Sequence, residues 1–233
     1  MHFEMYRQDM HSHLLPGLDD GAKTLEDSLS LIRQLRALGY TKLITTPHIM
    51  SGIHNNDAGT ILPALDNLRK AVEAAGIDVE LDAAAEYLMD DYFESLLEGR
   101  EPLLTINGQY VLVEFSFVAM PMNYRTIFFN LKMAGYEPIL AHPERYMYLH
   151  GDLDFYRELQ EAGVHLQLNI LSLYGYYGSR VQKMALQLLE AGLVEFTGTD
   201  LHHQRHMNVL AGKPLDASLR AKLAGGFIKN ELL

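Results

Sequence analysis

Apolar and polar positions along the chain fall into a recurring unit. Leu38-Gly39-Tyr40, Ala75-Gly76-Ile77, Ala134-Gly135-Tyr136, Ala162-Gly163-Val164 and Ala191-Gly192-Leu193 each close an amphipathic stretch with a glycine and open a short β-prone run. The stretch Leu25–Leu38 also carries a start signal. Thr24 is placed to cap it, Glu26 and Asp27 sit in its first turn, and Leu25, Leu29 and Ile32 recur at helical spacing. The β-prone runs predict strands at Lys42–Thr46, Val79–Ala83, Tyr110–Glu114, Glu137–Ala141, Val164–Asn169 and Val194–Gly198, after an opening strand near Tyr6–Met10. Strands alternating with helices predict an α/β fold with a parallel sheet, and this many units predict a closed or distorted barrel. Ser51–Thr60 reads as a long loop, with His54 at the mouth of a site. No Pro-, Gly- or Ser-rich linker divides the sequence, so residues 1–233 are read as a single domain.

Metal-ligand residue types sit where these strands stop. His11 and His13 end the first, and two imidazoles one residue apart on an extended backbone point to one face. Pro16-Gly17 then breaks the strand, and Asp19-Asp20-Gly21 brings oxygen donors on a turn. His48 ends the second strand, Glu86 the third, Glu114 the fourth and His142 the fifth, while Asp200 and His202 end the last. In a parallel barrel all of these ends share the rim that carries active sites. One ion uses three or four protein ligands, so nine donors require two or three ions. The expected grouping is His11, His13, Glu86 and Asp200 around one ion, Glu86, Glu114 and His142 around a second, and Asp20, His48 and His202 around a third. Asp19 is expected to shape the turn rather than bind an ion. Nitrogen and oxygen donors together suit zinc, manganese or iron better than calcium or magnesium.

Composition narrows the chemistry. There is no cysteine, which excludes disulfides, thiolate metal sites and a cysteine nucleophile. A net charge of −11 makes nucleic acid and anionic lipid poor partners. The N-terminus lacks the apolar run of a signal peptide, and no stretch approaches a membrane span, so a soluble cytoplasmic protein is expected. Three divalent ions, at about +6 against four carboxylates, leave the site positive, which matches phosphate ester hydrolysis by a metal-bridging hydroxide. Arg145 and Arg205, close after His142 and His202, are candidates for catalysis and for bidentate binding of phosphate oxygens.

These residues resemble the polymerase and histidinol phosphatase (PHP) family of metallohydrolases, from Asp9 to about Arg205. The first motif is similar to His11-Ser12-His13 with Asp20, and the second to Thr46-Pro47-His48. The third is similar to Glu86 with Glu114 and His142, and the last to Thr199-Asp200-Leu201-His202. His11 through Gly21 and His142-Pro143-Glu144-Arg145 are most similar to bacterial manganese-dependent protein-tyrosine phosphatases of capsule and exopolysaccharide loci. The resemblance implies a distorted (β/α)7 TIM-like barrel, the nine ligands above, and arginines that help bind phosphate. It implies hydrolysis of phosphotyrosine in proteins without a phospho-enzyme intermediate, with a bacterial tyrosine kinase as the partner such a locus suggests. A small-molecule phosphatase such as histidinol-phosphatase is the alternative. A PHP-type exonuclease fits the acidic charge poorly, and a non-catalytic regulator fits the complete ligand set poorly.

Two stretches depart from the family pattern: the short C-terminal segment from Gly225-Gly226 to Leu233, and the aromatic loop Leu173–Gly178, for which packing is favoured over a substrate lip. Of the other histidines, His165 alternates with Gln167 and Asn169 and is expected to face the barrel interior. His203 and His206 are expected near the metals, and His2 and His150 at the surface. No general acid stands out, and a tyrosinate leaving group, with a conjugate acid of pKa about 10, needs little help.

Overall fold

In the computed structural model, which describes residues 7–212, 214–223 and 228–233, every strand pairing is parallel. The strands are β1 (Gln8–Asp9), β2 (Lys42–Thr45), β3 (His48–Ile49), β4 (Glu80–Ala83), β5 (Glu86–Leu88), β6 (Tyr110–Glu114), β7 (Glu137–Ala141), β8 (His165–Asn169) and β9 (Phe196–Gly198). They form two sheets, β1-β2-β4 and β3-β5-β6-β7-β8-β9. Two of the seven expected strands are therefore interrupted. Pro47, with no N–H to give the ladder, parts β2 from β3. Ala84 and Ala85 part β4 from β5 without any comparable mark in the sequence. Tyr6, His2 and Gly225-Gly226 lie outside the described residues.

The helices are α1 (Leu25–Ala37), α2 (Ala58–Ala74), α3 (Asp91–Gly99), α4 (Tyr124–Met133), α5 (Leu153–Glu161), α6 (Ile170–Leu173), α7 (Ser179–Glu190), α8 (Gln204–Gly212) and α9 (Ala217–Leu223). Thr24 and Asp27 form a reciprocal capping box at the start of α1, as the first-turn pattern predicts. Gly39, Gly76, Gly135, Gly163 and Gly192 all take positive φ just after α1, α2, α4, α5 and α7, where a left-handed residue ends the helix and starts the next strand. The Ser51–Thr60 loop is shorter than expected, because Asp57 and Thr60 cap each other and begin α2 at Ala58.

The ends of the chain close the barrel. The His13 N–H donates to Leu201 O at 2.9 Å, and the Asp200 N–H donates to His11 O at 2.7 Å. Just below, the Asp9 carboxylate accepts from the Thr199 N–H at 2.8 Å and its hydroxyl at 2.6 Å. Inside the barrel, Met10, Ile44, Leu112, Ile139 and Phe196 form an apolar plug that also takes in Leu233. Asn230 seals this floor. Its Nδ2 donates to Thr197 O and Gln8 O, and its Oδ1 accepts from the Thr197 N–H. His165 faces the same floor, bonded to Glu195 at 2.8 Å beside the Tyr110 and Phe196 rings. A much larger core packs the helices against the outside of the strands. With the floor filled, the rim at the strands' C-terminal ends is the face left for a site.

Candidate metal centre

The structure brings all nine expected ligand residues to that rim. His11, His13, Glu86, Glu114, His142 and Asp200 are buried, while His48, His202 and Asp20 reach in from the edge. Glu86 is the hub. Its Oε2 lies 3.1 Å from His11 Nε2, 3.4 Å from His13 Nε2 and 3.2 Å from His48 Nδ1, and its Oε1 lies 2.9 Å from His142 Nε2. Asp200 Oδ1 lies 3.3–3.4 Å from nitrogens of His11, His13 and His202. Asp20 Oδ1 faces His48 Nε2 at 3.6 Å and His202 Nε2 at 3.4 Å. Glu114 faces His48 Nδ1 at 3.1 Å and His142 Nε2 at 3.8 Å.

Among the described residues, three groups have donor atoms close enough to share an ion: His11, His13, Glu86 and Asp200; His13, Asp20, His48 and His202; and His48, Glu86 and Glu114. The first coincides with the expected set. The second adds His13 to the expected trio. The third has His48 where His142 is expected, although His142 Nε2 stands within hydrogen-bond distance of Glu86.

The donor chemistry fits bound cations. His48 Nδ1 and Glu114 Oε1 are buried and close, yet neither makes a well-aligned hydrogen bond. Such a pair calls for a proton or a metal ion between the two atoms. The imidazoles also crowd, with the His13 and His202 rings stacked at 3.9 Å and His13 and His48 at 4.5 Å. Burial disfavours charge on His11, but the Glu86 and Asp200 carboxylates more than offset it and hold the imidazole up at about 9. Burial likewise opposes ionisation of Glu86, and His11 and His48 overcome it, keeping the carboxyl well below its usual range. In the metal-free protein, protons do what ions do in a metal site, so metal binding must release them.

An outer set of side chains fixes which nitrogen faces inward. His11 Nδ1 donates to Gln167 Oε1 at 2.9 Å, and His13 Nδ1 donates to Asp19 at 2.7 Å, so each presents Nε2 to the centre. Asp19 also accepts from the His48 and Gly21 N–H groups, which is the turn-shaping part expected of it. Asn169 donates to Asp200 Oδ2 at 2.8 Å. Gly198 keeps this layer tight: a Cβ there would stand 2.6 Å from His11 Cβ and 2.9 Å from Gln167 Nε2. Two of the expected ligands, His142 and Asp200, hold left-handed backbone at φ 32° and 48°, a strained setting for non-glycine residues and one that recurs at functional sites.

A cavity of about 240 Å³ opens over this cluster. Arg145 lines it, with Nη1 on Asp200 Oδ2 at 2.8 Å and its guanidinium between the rings of Phe117 (4.6 Å) and Tyr177 (4.4 Å). Arg205 does not line it. In the first turn of α8, Arg205 is turned out to solvent, and the next residue, His206, faces the cavity instead. Burial, then His203 and His202, push His206 down to about 3, so it stays neutral. His203 also lines the cavity, whereas His54 stacks on His48 at 5.5 Å but opens onto a neighbouring hollow. His150 is half-buried rather than exposed, because its Nε2 meets Glu144 O at 2.8 Å. The aromatic loop does more than pack: Tyr177 backs Arg145 and its hydroxyl meets Asn169. Gln167 and Asn169 were visible as polar positions on the inward face of β8, but nothing in the sequence marked Phe117.

A parallel barrel with buried imidazoles and carboxylates gathered on its C-terminal rim defines a metal-dependent enzyme of the hydrolase class. Residues 7–210 match the family model described as capsular polysaccharide synthesis, CpsB/CapC. The chain is 31% identical over 200 residues to the tyrosine-protein phosphatase YwqE of Bacillus subtilis, covering 86% of this chain and 79% of that protein. It is also 31% identical over 201 residues to the tyrosine-protein phosphatase CpsB of Streptococcus agalactiae, covering 84% and 82%. A solved structure from work on YwqE and Streptococcus pneumoniae CpsB, described as unique metal-dependent tyrosine phosphatases, superposes with a TM-score of 0.81. The sequence identity there is 29%, covering 97% of this chain and 93% of that one. The chain belongs to the CpsB/CapC family. Among the described residues, no helix is long and apolar enough to cross a membrane.

Proposed function

We propose that this protein is a metal-dependent phosphatase that removes phosphate from tyrosine residues of proteins. The observation that carries this is the convergence of nine imidazole and carboxylate side chains under one open cavity, in a chain whose relatives are named tyrosine-protein phosphatases. The ligands are His11, His13, Asp20, His48, Glu86, Glu114, His142, Asp200 and His202, holding two to three ions with manganese first in order. When bound, the ions supply Lewis-acid activation of water and neutralise phosphoryl charge.

The chain's own residues do the positioning. Gln167 and Asp19 orient the His11 and His13 rings, and Asn169 and Arg145 hold Asp200 from its outer side. Arg145 uses one nitrogen on Asp200, leaving the rest of its fork to bind a phosphoryl oxygen in the cavity. With no cysteine in the sequence, no thiol phospho-intermediate can form, and direct attack by water is the route we favour. Tyrosinate leaves without a strong acid, consistent with a neutral His206 beside the cavity.

Metal analysis and kinetics test this together. Two or more ions per chain, and a manganese-reconstituted enzyme that hydrolyses phosphotyrosine peptide far faster than histidinol phosphate, are the expected results. Fewer than two ions, or preference for histidinol phosphate, overturns the proposal. Arg145→Met should lower kcat/KM about 10- to 150-fold, mostly through KM, as loss of a charged hydrogen bond of roughly 1.5–3 kcal/mol requires.

A further inference from the structure

The mouth of the cavity contains one exposed apolar side chain. Of the residues lining it, all but Phe117 and Tyr177 are charged side chains or histidines. Tyr177 is already engaged, its ring covered by Arg145 and its hydroxyl against Asn169. Phe117 rests on His142 (5.6 Å), Tyr146 (5.9 Å) and Arg145, yet remains 48% exposed. Its loop is anchored at the root. Tyr148 donates to Ser116 O at 2.9 Å, and the Val118 N–H donates to Ser116 Oγ at 3.2 Å. An apolar ring left half open on a fixed loop is poised to meet a partner without first being ordered.

Size decides what that partner is. A cavity of about 240 Å³ is smaller than the roughly 300–1,000 Å³ of pockets that enclose a small ligand, and it must also admit ions and a phosphoryl group. The group esterified to phosphorus is therefore left at the mouth, where Phe117 stands. We infer that Phe117 is a specificity-determining residue that stacks against the aromatic ring of an aryl phosphate and so favours phosphotyrosine over alkyl phosphates. This rests on the phosphatase function proposed above. Phe117 contacts the organic group, while Arg145 and the ions hold the phosphate, so the two contributions separate experimentally.

The test uses inhibition constants of the full-length, manganese-loaded enzyme, with para-nitrophenyl phosphate as the reporter substrate and benzylphosphonate, methylphosphonate and inorganic phosphate as inhibitors. Phe117→Ala should weaken benzylphosphonate relative to methylphosphonate by about threefold to tenfold, the size of one aromatic ring pair. Phe117→Tyr should restore the ratio, and Phe117→Leu, apolar without a ring, should restore it only in part. If Phe117 merely shields Arg145 and His142 from water, all three constants shift together and the ratio stays put, which overturns the inference. An unchanged ratio with unchanged constants overturns it equally. Wild-type preference for histidinol phosphate instead strikes the proposed function, and the inhibitor ratio still reports on Phe117 alone.

Discussion

Asp19 and Asp20 are neighbours with different loads, and replacing each by asparagine separates folding from catalysis. Asp19 is enclosed. Its Oδ2 accepts from His13 Nδ1 at 2.7 Å and the His48 N–H at 3.1 Å, and its Oδ1 accepts from the Gly21 N–H at 2.9 Å. Asparagine has one acceptor oxygen. If that oxygen serves His13 and His48, the amide NH2 meets the Gly21 N–H donor to donor. An orphaned buried donor costs about 1–3 kcal/mol, and reducing a charge-assisted bond to a neutral one costs about 1 more. A loss of roughly 2–4 kcal/mol lowers Tm by about 4–16 °C for a chain of this length. Asp20 has a side chain 65% exposed and faces His48 and His202. Asp20→Asn should leave the Tm of the metal-free protein within about 2 °C, a surface-like change of roughly 0.5 kcal/mol. It should cut manganese-supported activity about 100-fold, equivalent to about 2.7 kcal/mol of lost charge stabilisation at one ion.

The pH dependence gives a second reading of Asp19. Burial works against its ionisation, but the His13 contact outweighs burial and holds the carboxyl below its usual range. The folded value is depressed, so the stabilisation is complete above the unfolded value of about 3.9 and drains away as pH falls below it. The Tm gap between wild type and Asp19→Asn should narrow below about pH 4. Thermal denaturation of chelator-treated protein across pH, beside steady-state kinetics with manganese, measures both effects. Equal Tm losses for the two variants, or none for Asp19→Asn, would refute the division of labour.

Two further substitutions probe the supporting layers. Gly198→Ala forces a methyl against His11 and Gln167 and should weaken retention of an ion about 10- to 100-fold, read as metal content after gel filtration. Full occupancy in that variant would show that His11 tolerates displacement. Asn230→Ala removes the barrel-floor seal and orphans the Thr197 N–H, so Tm should drop by at least about 4 °C while kcat stays near wild type, since the floor is remote from the rim. A loss of kcat at unchanged Tm would contradict that separation.

Much of this architecture was legible because two independent patterns coincide. The glycine after α1, α2, α4, α5 and α7 marks where a strand begins, and the His, Asp and Glu residues mark where strands stop, so strand direction and the shared rim follow together. The interruptions were less visible. Pro47 explains one, but Ala84-Ala85 breaks a ladder with residues that carry no signal. Arg205 illustrates a further limit: nearness in sequence to His202 places it on the rim, but the turn of α8 decides which of Arg205 and His206 faces the cavity. Phe117 was illegible for the same reason, since the path of a loop, not its composition, brings it over His142.

The closure of the barrel has a consequence in time. His11 and His13 leave the ribosome well before Asp200 and His202. Two of the three ion-sharing groups draw on residues of both pairs, so one is complete only at residue 200 and the other only at residue 202. A nascent chain therefore lacks the full ligand set of either group until its last strand has been made. An ion held by either group would staple the first strand to the last, beside the backbone bonds that already join them.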